Sequence, residues 1–179
     1  MNTFILIGPE KRSTLFPEPR QPAAMKDTIL DSSPAATERS AEYAIYKPNS
    51  RGSGGVIRFG LNVAKSSLFV DAANQISQKQ FDWENKITMK WGTSDLGSVI
   101  AVLQGRMPQA KLFHQAERAN SAFEITRQDD PERAPYLVSI SRQITADKSL
   151  RKITLPLGHG DAATLESALQ RAVIRLLGW

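Results

Sequence analysis

The chain has 179 residues, which suits one domain or one domain with a tail. It contains no cysteine, which excludes disulfides, thiolate metal sites and thiol catalysis. Hydrophobic residues make up 41% of the chain and the net charge is +5, so the chain can build a core and is compatible with an anionic partner.

The first 42 residues differ in character from the rest. They hold five of the ten prolines and show no sustained apolar period, which is typical of a disordered segment. We therefore predict a disordered tail over residues 1–42, dispensable for folding, and a folded domain over residues 43–179. The excess positive charge concentrates in residues 43–91, which hold seven Lys and Arg against three Asp and Glu.

The first half of the folded region predicts four strands followed by a helix. Ile57, Phe59 and Leu61 alternate with Val56 and Arg58, and a strand directs such alternate residues to opposite faces. After the strands, apolar residues recur at helical spacing. The predicted strands cover residues 43–47, 56–61, 67–72 and 80–91, and the predicted helix covers residues 94–104.

The end of the fourth predicted strand alternates clearly. Ile87, Met89 and Trp91 form an apolar face that can lie on a core. The opposite face carries the ammonium groups of Lys86 and Lys90 and no acid. This pattern suits a surface for a nucleic-acid backbone, and it also suits an ordinary solvated strand.

The second half repeats the same order of elements. We predict strands over residues 111–114, 122–127, 136–144 and 150–157, with short connections that favour antiparallel pairing. A final helix begins at Asp161 and carries a broad apolar stripe to Leu177. The sequence therefore predicts an α+β fold of order ββββα-ββββα, in which each four-stranded sheet needs one face covered.

No residue pattern indicates catalysis. His159 lies between glycines before the last helix, which suits an anion pocket or a simple turn. Asp129, Asp130 and Glu132 suit a metal site or an exposed hairpin tip. The glycines of residues 52–55 lack the lysine and the following helix of a phosphate loop. We predict no enzymatic activity, no metal site and no cofactor.

Basic and aromatic residues are interleaved in the first half of the domain. Single-stranded nucleic acid is commonly held by a positive groove with aromatic platforms, and the cations make binding depend on salt. The alternative is that the aromatic rings belong to the core. The predicted nucleic-acid-binding residues are Tyr46, Lys47, Arg51, Arg58, Lys65, Phe69, Trp83, Lys86 and Lys90.

Short motifs over residues 43–179 resemble a known family in their order and spacing. They are Tyr46-Lys47, Phe81-Asp82-Trp83, Ser94-Asp95-Leu96-Gly97-Ser98-Val99, Lys111-Leu112-Phe113-His114, Ile153-Thr154-Leu155-Pro156-Leu157 and Leu177-Gly178-Trp179. Together they resemble the Whirly single-stranded DNA-binding proteins of plants. Related in fold are the kinetoplastid mitochondrial guide-RNA-binding proteins and the single-stranded DNA-binding domain of positive cofactor 4.

The resemblance implies a fold and an activity. The fold is two four-stranded antiparallel sheets packed across each other, with two helices at the centre of a homotetramer. The activity is binding of single-stranded DNA with little sequence preference, in replication, repair, recombination or transcription regulation. RNA binding with strand annealing, and an oligomeric interaction domain with a basic face, are the alternatives.

The chain departs from the family at one motif. Whirly proteins carry Lys-Gly-Lys-Ala-Ala-Leu, and the matching region here runs from Arg51 to Ile57 without the second lysine. We expect DNA contact through Arg51 to survive, whereas assembly beyond a tetramer is not expected to follow. The sequence shows no membrane-length apolar run and no secretory or long organelle leader. We therefore expect no membrane association, a cytoplasmic location and a bacterial or phage origin.

Overall fold

The computed structural model describes residues 41–179. The predicted disordered tail lies outside the described residues, apart from its last two positions. Strand β1 begins at Glu42, one residue before the predicted start of the domain.

The first sheet is antiparallel throughout. Its strands are β1 (Glu42–Lys47), β2 (Gly55–Asn62), β3 (Ser67–Ser77), β4 (Gln80–Phe81) and β5 (Ile87–Trp91). Strands β1, β2 and β3 are neighbours in that order, and both β4 and β5 pair with β3. Helix α1 (Thr93–Leu103) follows.

The single strand predicted over residues 80–91 is wrong, because residues 82–86 form a turn between β4 and β5. The Asp82 carboxylate accepts hydrogen bonds from the backbone N–H of Asn85 (3.2 Å) and from its side-chain amide (3.0 Å). Asp and Asn stabilise turns through such local bonds, which compete with strand pairing. Lys86 therefore lies in the turn rather than in the strand.

The second sheet is a meander. Its strands are β6 (Gln109–Gln115), β7 (Ala119–Arg127), β8 (Tyr136–Ile144) and β9 (Leu150–Leu157), each paired with the next. Helix α2 (His159–Leu177) follows and ends at Gly178, whose positive φ of 81° suits glycine. The predicted order of two four-stranded sheets, each followed by a helix, is confirmed, with β4 as a short addition.

Both helices begin with the same kind of capping hydrogen bond. The N–H of Gly92 donates to the Asp95 carboxylate (3.0 Å), and the N–H of Gly158 donates to that of Asp161 (3.2 Å). An acid in the first turn also complements the positive end of the helix dipole. The helices contact each other, and the side-chain amide of Gln104, the residue that follows α1, donates to the Glu166 carboxylate in α2 (3.1 Å).

One hydrophobic core joins both sheets and both helices. Trp91 at the end of β5 is fully buried, and its ring centroid lies 4.6 Å from that of Phe123 in the second sheet and 5.9 Å from that of Phe59. Edge-to-face aromatic pairs of this kind add to the burial of apolar area. Trp91 thus fixes how the two sheets pack.

Glycine permits the sheets to approach closely at one point. A Cβ atom added to Gly55 in β2 would lie 3.0 Å from Leu155 Cδ2 and 3.1 Å from Ile153 Cγ2 in β9. Gly60 lies in the same strand on the other face, where an added Cβ would have only Phe69 O nearby, at 4.0 Å.

We expect Gly55→Ala to lower the free energy of unfolding by about 1–3 kcal/mol, because overpacking displaces well-packed neighbours. Gly60→Ala is the matched control, and it should leave stability unchanged or raise it by about 0.5 kcal/mol. Urea denaturation measures both. Equal effects of the two substitutions would contradict the close approach.

Candidate nucleic-acid interface

The first sheet turns one side to the core and leaves the other side uncovered by the second sheet or the helices. We call this second side the outer face. Strand register aligns Arg58 of β2, Asp71 of β3 and Thr88 of β5 in one row across it, and Phe69 of β3 opposite Lys90 of β5 in the next. Its strand residues are Glu42, Ala44, Tyr46, Val56, Arg58, Gly60, Asn62, Ser67, Phe69, Asp71, Ala73, Thr88 and Lys90.

Asp71 accepts most of the side-chain hydrogen bonds on this face. It is only 8% exposed, and three side chains donate hydrogen bonds to its carboxylate. Arg58 Nη2 and Lys86 Nζ each reach Oδ2 at 2.9 Å, and Thr88 Oγ1 reaches Oδ1 at 2.5 Å. The expectation that the lysine-bearing face holds no acid is true of β5 alone. Strand β3 contributes the Asp71 carboxylate, and β1 contributes that of Glu42, which lies 3.6 Å from Arg58 Nη1.

The charge of Asp71 is stabilised by its partners. Burial acts to raise the pKa of this carboxyl, but the hydrogen bonds from Thr88, Arg58 and Lys86 outweigh burial, so its pKa lies below the usual 3.8. The hydrogen bond between Arg58 and Asp71 raises the pKa of the Arg58 guanidinium. Asp71 is therefore ionised at neutral pH and neutralises part of the positive charge around it.

Aromatic rings gather at one end of the outer face. The ring centroids of Tyr46 and Phe81 lie 5.5 Å apart, and the Arg58 guanidinium carbon lies 4.6 Å from the centroid of the Trp83 ring. Val56 and Ala73 lie on the outer face yet are fully buried and outside the main core, which fits a cover of aromatic rings. The 82–86 turn thus folds over the face rather than away from it.

These rings line a shallow groove of about 630 Å³. Tyr46, Phe81 and Trp83 supply its flat surfaces, Ile76 supplies an exposed aliphatic side chain, and Lys79 supplies a cation. Tyr46 is 54% exposed, so its ring is open to a ligand.

A second aromatic position lies at the other end of the face. Lys65, in the turn between β2 and β3, places its Nζ 5.5 Å from the centroid of the half-buried Phe69 ring. Lys90, the register partner of Phe69, is exposed. A ring flanked by two ammonium groups combines stacking with charge.

Two of the predicted binding residues lie elsewhere. Lys47 has its side chain on the opposite side of β1, where Nζ lies 2.5 Å from the Asp161 carboxylate of α2. Arg51 is exposed in the loop between β1 and β2, beyond the end of the outer face. The structure brings the other predicted residues to one face, namely Tyr46, Arg58, Lys65, Phe69, Trp83, Lys86 and Lys90.

The loop that carries Arg51 is held by one buried side chain. Gln75 is 5% exposed, and its Oε1 accepts hydrogen bonds from the backbone N–H of Asn49 (2.9 Å) and Gly54 (3.1 Å). Its Nε2 donates to the carbonyl of Asn49 (3.1 Å). A Cβ on Gly54 would lie 2.2 Å from the Lys47 carbonyl oxygen, so glycine is required there.

The sequence reasoning missed Phe81, Asp71 and Gln75. Phe81 stands two residues before Trp83, but Trp83 lies in the 82–86 turn, so strand alternation does not place the two rings on one face. Asp71 and Gln75 look like ordinary polar strand residues in the sequence. Their roles depend on which strands pair with β3.

The candidates for chemistry do not converge on a site. His159 is exposed as the first residue of α2, Asp130 pairs with Arg133 (3.1 Å), and Asp129 pairs with Arg127 (3.6 Å). Within residues 41–179, no group of three or more His, Asp or Glu side chains is placed to hold a metal ion. Neither helix of this part of the chain is long and apolar enough to cross a membrane.

Comparison with known proteins identifies the fold. No protein-family model and no curated protein matches the sequence. The solved structures include the Whirly protein WHY3 from Arabidopsis thaliana, with a TM-score of 0.65 and 16% identity over 82% of this chain and 92% of that one. The plant transcriptional regulator PBF-2 matches with a TM-score of 0.61 and 20% identity over 79% and 85%.

A guide-RNA-binding protein complex bound to a gRNA also matches, with a TM-score of 0.58 and 16% identity over 79% of this chain and 95% of that one. The chain therefore has the Whirly-like fold that its motifs predicted.

Asp71→Asn is expected to lower the free energy of unfolding by about 3 kcal/mol at neutral pH, because Arg58 and Lys86 lose their shared carboxylate. The folded pKa of Asp71 is lowered, so its contribution is present above the usual 3.8 and is lost as the pH falls through the folded value. The difference in the free energy of unfolding between wild type and Asp71→Asn should therefore become smaller in strong acid.

Urea denaturation across a pH series measures this difference. Asp129→Asn is the control, since Asp129 is exposed and its ion pair with Arg127 is long, and it should leave stability nearly unchanged. A difference for Asp71→Asn that stays constant into strong acid would contradict the assignment.

Proposed function

We propose that this protein binds single-stranded nucleic acid on the outer face of its first sheet and carries out no catalysis. The observation that carries the proposal is the joint exposure of cations and aromatic rings on one sheet face. The resemblance to Whirly proteins supports single-stranded DNA, bound with little sequence preference, as the ligand.

The cations of the face divide into two groups. Arg58 and Lys86 are engaged by Asp71, so they hold the face together and offer less charge to a ligand. Lys65 and Lys90 make no ion pair with a carboxylate among the described residues, and Arg51 extends from the adjacent loop. We propose that Lys65, Lys90 and Arg51 contact phosphates, while Arg58 supports the Trp83 ring from beneath.

The rings favour a single strand over a duplex. A base can stack on Tyr46, Phe81 or Trp83 only when it is unpaired and turned out of a helix. Every base has such a flat surface, so stacking tolerates any sequence.

The same features allow RNA as a second candidate ligand. The specific observation that favours RNA is the match to a guide-RNA-binding complex bound to a gRNA. Roles in replication, repair, recombination or transcription regulation, a cytoplasmic location, and a bacterial or phage origin stay predictions. An interaction domain with a basic face is the third hypothesis, and the salt dependence of oligonucleotide binding separates it from the first two.

We expect the protein to bind single-stranded oligonucleotides more tightly than duplexes of the same sequence. The affinity should fall as salt rises, by about 0.7 log units per log unit of salt for each phosphate contact. Fluorescence anisotropy with DNA, RNA and duplex probes measures this directly. Equal or tighter duplex binding would refute the proposal.

Single substitutions locate the interface. Trp83→Ala should weaken binding by about 1–3 kcal/mol because a stacking surface is removed, and Lys90→Gln should reduce the salt slope by about 0.7. Lys152→Gln is the matched control, because this exposed lysine lies on the far side of the second sheet. A larger effect of Lys152→Gln than of Lys90→Gln would move the site to the second sheet.

We also propose a homotetramer. The stripe of α2 is narrower at the surface than the sequence suggested, because Leu165, Leu169 and Ala172 are buried within the chain. The exposed apolar residues lie at the C-terminal end of the helix, namely Ile174, Leu177 and Trp179. This cluster supports a contact between subunits near the end of α2.

Light scattering at micromolar concentration should give the mass of a tetramer. Leu177→Asp should yield smaller species, because a charge in an apolar interface is costly. Val63→Asp is the control, since Val63 is exposed in the turn between β2 and β3. A monomeric mass for the wild type would overturn this part of the proposal.

A further inference from the structure

A cleft opens between the two sheets, away from the aromatic groove. The 82–86 turn forms one wall, and the ends of β8 and β9 form the other. The cleft has a volume of about 410 Å³, and its charged lining consists of Glu84, Lys86, Arg142 and Arg151.

Two arginines oppose each other in this cleft. Arg142 of β8 and Arg151 of β9 are register partners in the antiparallel pair, and both are exposed. Like charges directly opposite each other on neighbouring strands are destabilising. Among residues 41–179 neither arginine forms an ion pair with a carboxylate, although Arg151 donates a hydrogen bond to the Asn85 carbonyl of the facing turn. The cleft thus keeps a repulsion that an anion would relieve.

The cleft is continuous with the outer face through the turn. Lys86 lines the cleft, while its Nζ reaches the Asp71 carboxylate on the outer face. Trp83, in the same turn, lies over Arg58 on that face. A strand that crosses the outer face therefore meets the cleft on passing over residues 82–86.

We propose that Arg142 and Arg151 form a second phosphate site, which binds the backbone of the same nucleic-acid strand after it leaves the outer face over the 82–86 turn. This inference rests on the proposed function. Two guanidinium groups that converge on one cleft match the bidentate hydrogen bonding that phosphate oxygens accept. Continuity with the outer face favours a strand over a free phosphate compound.

The proposal separates short ligands from long ones. A short oligonucleotide can occupy the outer face alone, whereas a longer one also reaches the cleft. Binding sites of single-strand-binding sheets span about 4–16 nucleotides, which sets the range of oligothymidylates to use. The test variant is Arg142→Gln with Arg151→Gln, and Arg133→Gln is the control at the opposite end of the second sheet.

We expect the double variant to bind the longest oligonucleotide about tenfold more weakly than wild type, and to bind the shortest with unchanged affinity. Its salt slope for the longest ligand should fall by about 0.7 for each phosphate that the variant no longer binds. Without ligand, its thermal midpoint should stay close to that of wild type, because the repulsion between the two arginines and the hydrogen bond from Arg151 to the Asn85 carbonyl are lost together. Arg133→Gln should match wild type throughout.

The outcomes separate this inference from the proposed function. Wild-type protein that binds no single-stranded oligonucleotide of any length refutes the proposed function. Wild-type binding with unchanged affinity and slope in the double variant refutes the second site alone. An equal loss of affinity for short and long oligonucleotides would place the arginines in the first site. Inorganic phosphate that competes equally with short and long oligonucleotides at constant ionic strength would indicate a free phosphate ligand. Either result would overturn the proposal of one continuous path for the strand. A large drop in the thermal midpoint of the double variant would show that the arginines are structural.

Discussion

The carboxylate of Asp71 joins three other segments of the first half of the chain through side-chain hydrogen bonds. It lies in β3, and it receives donors from β2, from the 82–86 turn and from β5. A buried carboxylate is costly unless its oxygens are paired, and a buried pair loses stability sharply when one partner is removed. Because Arg58 is fixed by this carboxylate, it can lie beneath Trp83, and the aromatic end of the outer face depends on that position.

The two halves of the chain share an order of elements but differ in how their sheets are covered. Each half is a meander of strands followed by a helix that begins with a carboxylate accepting the N–H of a preceding glycine. Trp91 joins the halves by packing on Phe123. In the first half the 82–86 turn covers part of the outer face, because β4 is short and the chain returns over the sheet before β5 begins.

Much of the fold was predictable because alternation and helical spacing record which residues are buried. Ile57 and Phe59 face the core, and Arg58 faces outward, as their alternation predicts. The interface was predictable as a region but less well as a set of contacts. A side chain's partner across a sheet depends on register, and the sequence does not state that Asp71 stands between Arg58 and Thr88. Lys47 alternates to the wrong side for the outer face, which its position next to Tyr46 already implied.

The hydrogen bonds of Gln75 bear on the entropy of binding. An exposed glycine-rich loop usually samples many backbone conformations, and a ligand that orders it must offset that loss. Here Asn49 and Gly54 are already tied to a buried amide, so the loop that carries Arg51 is preorganised at its base. A contact through Arg51 therefore has to order less of the loop backbone, and its conformational cost lies closer to that of one flexible side chain than to that of a whole loop.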